Sequence, residues 1–487
     1  MKCSRIERRP DHVARGAAIL LAQLLTASGA AAQALTGRTA IDGLDFPPLE
    51  FTQPVVDHHD VSGVPVLVLE SRELPLVTVY AYFRGGYGLF GRELYASAVG
   101  LPAILRYGGT TALAPGSVDE ALEYYAIQTS FGSTGGSVTS SVNMLTQHLE
   151  VALELWGDLL TAPRFDADEI EVWRGRQLES MRRRQDDPSR LAFSEFNRLL
   201  YGDHPIGWEM EIADLEPDRV TPERFRHVHA QVVCRDNLVL GITGDASWSA
   251  AEGMVEALVE RIPPCHSKLP EPPIPDIRRG SGVYLIEKDL EQAVIVMAHP
   301  TNVRLDDTPE YYAAMIGNSI LGGGGFSSRI LARVRTEDGY AYSASSLWTT
   351  PRKHDGIIGA ITRTRPENAV PAIDVILGTM DEMRAEPPTE EEVSTAVDGI
   401  VNGFVFNFST PGQIVSRTML YLDQELPEDW LERYWRGVQC VTSVSIRETF
   451  AEHLRPDDMT ILIVGDPERI GWDALERIGP VTVLEIG

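Results

Sequence analysis

Eleven histidines could hold a metal or move protons, yet only His58/His59 and His227/His229 lie close together in the chain. No two stand four residues apart, the spacing that sets two imidazoles on one helix face. The chain therefore has no local zinc motif. It also lacks a Gly-x-Ser-x-Gly turn that would expose a nucleophilic serine. Gly322-Gly-Gly-Gly-Phe-Ser-Ser-Arg329 is glycine-rich but without the Lys-Ser/Thr of a phosphate-binding loop. His58 and His59 stand beside Asp57 and Asp60, a composition that can touch a metal but is more typical of a solvated segment.

The segment that does carry chemistry runs from Leu321 to Trp348. Its four glycines, Gly322, Gly323, Gly324 and Gly325, form a flexible loop, and Ser327 or Ser328 is placed to cap a short helix whose apolar face is Ile330, Leu331 and Val334. Gly339 ends that helix, and an alternating strand then carries Tyr340 and Tyr342 on one face. Arg335 and Tyr342 bring a fixed cation and a hydroxyl donor seven residues apart. Taken alone, they read as a cation at a helix C-terminus and a half-buried strand aromatic.

The elements that must position them occur twice. Each half opens on two β-rich runs, Val66–Glu70 with Val77–Phe83 and Val283–Glu287 with Ala293–Ala298. Each half closes on a strand ending in Gly-Asp, Gly244-Asp245 and Gly465-Asp466, 221 residues apart. The opening strands are offset by 217, so one pattern is used twice. Helical patterns fall between them: Val118–Tyr125, Leu145–Leu160 and Ala167–Arg184, then Pro309–Leu321, Ala369–Arg384 and Glu390–Val405. Thr308 before Pro309, and Thr389 before three glutamates, are helix-start signals. Pro263, Pro264, Pro270, Pro272, Pro273 and Pro275 mark a linker. The expected organisation is a first domain over residues 45–262, a linker over 263–280 and a second domain over 281–487. The fold class is α+β, two homologous domains each with a mainly antiparallel sheet covered by helices.

The order of glycine loop, Ser-Arg helix, and Arg and Tyr seven apart before an aromatic strand resembles the second domain of the insulinase/pitrilysin metallopeptidases. The likeness runs from about Leu67 to Asp466. It implies two similar domains forming half of a clam-shell chamber. Active members carry His-x-x-Glu-His on a first-domain helix ending in a Gly-Thr turn, with a further Glu ligand about 76–81 residues on. Here the turn is Gly109-Thr110, and the three positions hold Gly100, Ala103 and Ile104. The remote position falls on Ser180, with Glu179 one residue away. None of the three helix positions can bind zinc. The resemblance further implies that Arg335 holds substrate carbonyls and Tyr342 donates to an oxyanion, both in trans, at a zinc site carried by a homologous partner subunit. This chain itself would bind no cofactor or metal.

Composition narrows the rest. A formal charge of −27 over 487 residues argues against nucleic-acid binding, because such a surface repels phosphates. Five bases, the apolar run Gly16–Leu25 and a small-residue stretch to Ala34 have the layout of a signal peptide, residues 1–34. Its removal takes five bases and two acids and moves the charge from −27 to −30. The expected destination is the periplasm or the outside medium, with no transmembrane anchor in the mature chain. Cys234, Cys265 and Cys440 then remain, enough for one bridge, and Cys234 with Cys265 is the pair nearest in sequence. The expected function is the non-catalytic subunit of a heterodimeric zinc endopeptidase acting on peptides. The alternative is a structural or binding protein with the same fold, and other chemistry in that frame is a third possibility that lacks any recognisable nucleophile and base.

Overall fold

The structure, a computed structural model, describes residues 52–184 and 186–485. The expected signal peptide lies outside the described residues. Strands β1 (Asp57–Val61), β2 (Val64–Glu70), β3 (Leu76–Arg84), β4 (Gln128–Ser133), β5 (Ser137–Leu145) and β6 (Leu238–Gly244) make one sheet in the order β1-β2-β6-β3-β5-β4. Strands β7 (Gly282–Glu287), β8 (Ala293–Thr301), β9 (Ala341–Thr349), β10 (Gly356–Thr364), β11 (Thr460–Gly465) and β12 (Val481–Val483) make a second, ordered β12-β7-β11-β8-β10-β9. Five strands repeat in the same order, 2-6-3-5-4 against 7-11-8-10-9. Both sheets are mainly antiparallel, with parallel pairs at β2/β6, β7/β11 and β7/β12. The fold is α+β.

Four helices matter for the site: α1 (Arg92–Tyr107), α2 (Ala167–Arg184), α3 (Pro188–Tyr201) and α4 (Pro411–Asp423). The last two cross between the halves. On α3, Leu191, Phe196 and Leu200 are buried against Ile286, Val296, Leu462 and Val464 of the second sheet. In return, Val415 and Met419 of α4 are buried with Leu67 and Val239 of the first sheet. Both helices have strong starts. Asp187 accepts from the amides of Ser189 and Arg190 ahead of α3, and Thr410 forms a capping box with Gln413 ahead of α4. Because a helix lies over its second face, β8 reads as a continuous apolar run, buried along its whole length.

Three boundaries differ from the sequence reading. The helix expected over 145–160 is Leu149–Thr161, because β5 extends to Leu145. The helix at Pro309 ends at Asn318 and passes into a wider turn, Ser319–Gly323. The helix expected over 118–125 is Pro115–Tyr124. The helix-start signals hold: Thr308 accepts from the Tyr311 amide, and Thr389 makes a capping box with Glu392.

No helix or strand interrupts residues 263–281. This proline-rich stretch is nevertheless tied down. A Cys234–Cys265 disulfide and the bond from the Arg235 amide to the Pro263 carbonyl hold one end. The Arg278 amide donates to the Leu200 carbonyl, and Ile277 is buried with α3 in the second core.

Candidate functional site

The glycine segment is less loop-like than its composition implies. Ser319–Gly323 forms a wide helical turn in which the Gly324 amide donates to the Ser319 carbonyl, five residues back. Gly322 is buried where this turn meets β9. A Cβ there would lie 2.3 Å from the Ser346 amide nitrogen, so only glycine allows the approach. Gly323, Gly324 and Gly325 are exposed. Ser328 stands at the start of the one-turn helix Arg329–Leu331, but its hydroxyl donates to the Gly325 carbonyl instead of accepting from a helix amide. A second wide turn, Ala332–Glu337, carries Arg335 and is followed by Gly339 at φ +65°.

Three arginines project from this segment, and their fates differ. Arg329 makes a two-pronged ion pair with Glu392, at 2.7 and 2.8 Å. That contact, with the Thr389 capping bonds, holds the Glu392 carboxyl down at about 2. Arg333 pairs with Glu382 and donates to Thr379. Arg335 has neither kind of partner among the described residues. Its guanidinium lies between two rings, 4.7 Å from the Tyr342 centroid and 5.1 Å from that of Phe326. Tyr342 and Phe326 are 77% and 79% exposed. Tyr342 is therefore not a half-buried strand aromatic, and Tyr340 does not share its strand, since β9 begins at Ala341. The structure thus brings Arg335 and Tyr342 together and adds Phe326.

The first half presents the opposite picture at α1. Trp173 of α2 is buried and lies directly over Gly100, where a Cβ would meet its ring carbon at 2.7 Å. Trp173 is held edge-on to Phe225, with ring centroids 6.0 Å apart. Ile104 is buried in the same core and Ala103 packs against it. Glu179 on α2 is exposed and occupied by Arg183 at 2.8 Å and Arg182 at 3.7 Å.

Residues 219–400, which hold the whole glycine, Arg335 and Tyr342 segment, match the family described as the peptidase M16 inactive domain. A crystal structure of a peptidase M16 inactive domain from Pseudomonas fluorescens superposes with a TM-score of 0.75 at 25% identity, covering 84% of this chain and 98% of that one. Over residues 219–400 this chain is similar to the M16 peptidases. The non-peptidase homolog YmxG of Helicobacter pylori is 20% identical over 406 residues, 83% of this chain and 93% of its own length. An uncharacterized zinc protease of Streptomyces coelicolor is 24% identical over 279 residues, 56% of this chain. The match spans 60% of that zinc protease's own length. The periplasmic protease PqqL from Escherichia coli shares the fold, with a TM-score of 0.72 at 14% identity over 87% of this chain and 48% of its own.

Zinc does not fit the residues that the resemblance matches to a metal-binding helix, Gly100, Ala103 and Ile104. The donor set offers no imidazole, and the space beside Gly100 is filled by an indole. Among the described residues no group of three or more His, Cys, Asp or Glu side chains comes together. Sequence reasoning named Arg335, Tyr342 and the three positions without ligands, but not Phe326, Trp173 or the Arg329–Glu392 anchor. The Thr389-x-x-Glu392 pattern marked a helix start, and nothing local tied its glutamate to Arg329.

Proposed function

We propose that this chain is the non-catalytic subunit of a heterodimeric, insulinase-like zinc endopeptidase. A homologous subunit supplies the intact zinc motif and the zinc that activates water for peptide hydrolysis. Arg335 holds backbone carbonyls of the substrate, and the Tyr342 hydroxyl donates to the oxyanion as the tetrahedral intermediate forms. One donor of this kind is worth about 10²–10³ in rate. The observation that carries the reading is the state of Arg335: exposed aromatics hold its guanidinium in place while its donors stay unspent. Two neighbouring arginines on the same short segment are used for internal ion pairs. The glycine segment 322–325 lines the chamber wall beside it. No helix among the described residues is long and apolar enough to cross a membrane. We place the mature chain in the periplasm or outside the cell, after cleavage at Ala34.

A second reading has its own support. The non-peptidase homolog YmxG is matched over most of its length, which favours a structural or binding protein with this fold and no proteolytic role. The two readings part in one assay. The mature chain is mixed with a zinc-bearing homologue and given quenched peptides, alone and together. Hydrolysis only in the mixture, lost with Arg335→Ala or Tyr342→Phe, supports the subunit role. Normal association without hydrolysis supports the structural one.

A further inference from the structure

We propose that the cavity beside Tyr342 is a carboxylate subsite, and that Arg363 is its specificity-determining residue for acidic peptides. This deepens the reading of the same face as peptide-binding and rests on it. The cavity measures about 270 Å³, and its wall includes Phe326, Arg335, Tyr342, Ser343, Ser345 and Arg363. Arg363 lies on β10 opposite Ser343 of β9, next to an irregularity in the ladder between Arg363 and Thr364. Its side chain is exposed.

Two arginines therefore line one small space, and neither has an ion pair or side-chain hydrogen bond among the described residues. In a chain of net charge −27, acidic partners are not scarce. Asp187, at the start of α3, is an acid that feels the Arg363 charge. Its carboxylate is committed to the amides of Ser189 and Arg190, which hold it below the usual carboxylate range, and it does not close an ion pair with Arg363. A peptide carbonyl entering the cavity would satisfy one cation and leave the other uncompensated. A carboxylate answers both, because guanidinium N–H groups donate charge-assisted bonds to its two oxygens. Ser343 and Ser345 on the same wall can add hydroxyl donors, and Phe326 adds an apolar residue for the carbon chain that carries the charge.

The carboxylate can come from an acidic side chain or from a peptide C-terminus, and one experiment separates them. A fluorescent decapeptide is titrated into the full chain in four forms, with Asp or Asn at a central position and a free or amidated C-terminus. The expected result is about tenfold tighter binding of at least one charged form than of the Asn, amidated form. Arg363→Gln should remove that difference without moving the thermal midpoint, and Arg363→Lys should keep part of it. A preference that follows the aspartate assigns the side chain, and one that follows the free end assigns the terminus. Equal affinities, no binding of any form, or a preference that survives Arg363→Gln would overturn the proposal. Hydrolysis by the mixed subunits that ignores peptide charge would sink the subsite and leave the Arg335 and Tyr342 role standing. Charge-selective binding without hydrolysis would do the reverse.

Discussion

The two halves carry the same sheet order, but their candidate site segments are treated in opposite ways. In the first half, the positions that the resemblance matches to metal ligands pack into the core, with Trp173 over Gly100 and Ile104 buried. In the second, Arg335, Tyr342 and Phe326 stay at the surface and leave donors unused. Burial explains the contrast. Once a polar site has no metal to satisfy it, apolar side chains stabilise the same space better than orphaned imidazoles would. Exposed aromatics and an arginine without an acid add little to stability, so their presence calls for a functional account.

The comparison breaks most visibly if the first half is forced to regain its ligands. Gly100→His together with Ala103→Glu and Ile104→His should destabilise the chain by about 4 kcal/mol or more, measured by urea unfolding, because an imidazole meets Trp173 and a carboxylate enters an apolar core. Adding zinc should not restore the loss.

A pH series gives the next largest effect. Burial pushes His299 down from 6.5 to about 4, and its Nε2 accepts from the Arg455 amide at 2.8 Å. A depressed histidine contributes stability above its unfolded value. That contribution, about 3 kcal/mol, should be lost as pH falls from 6.5 through 4, and His299→Gln should flatten the melting profile over that window.

Smaller still is the anchor beneath the site. Arg329→Ala should cost about 2 kcal/mol and raise amide exchange across 326–338, since it strands the partly buried Glu392. Phe326→Ala should change stability by less than about 0.5 kcal/mol, checked by the same unfolding experiment, because its ring is exposed. An effect of Phe326→Ala on peptide binding without one on stability would sharpen the contrast between a packed half and an open one.

The sheets were readable because period-two runs such as Val77–Phe83 and continuous runs such as Ala293–Ala298 announce strands, and the Gly-Asp endings recur at a matching offset. Helices α3 and α4 went unnoticed for a physical reason. Their apolar faces answer the other half's sheet, so no neighbour in sequence supplies the complementary pattern. Pro102 sits inside α1 and interrupts the helical reading there, which only the Gly109-Thr110 turn recovered. Arg335 and Tyr342 stood out only through the resemblance of the glycine, Arg and Tyr order to a known family, since type and spacing alone read as ordinary helix-end and strand residues. The Trp173 plug was not legible, because a glycine on one helix and a tryptophan on another show their fit only when packed.

The central claim is that this chain lends its Arg335 and Tyr342 to a zinc site it does not own. The most direct test measures hydrolysis of one quenched peptide by the mixed subunits with wild-type chain and with Tyr342→Phe, at matched complex concentration. The account predicts a fall in kcat of about 10²–10³ with association intact. Unchanged turnover with Tyr342→Phe, or chelator-sensitive hydrolysis by this chain alone, would contradict it.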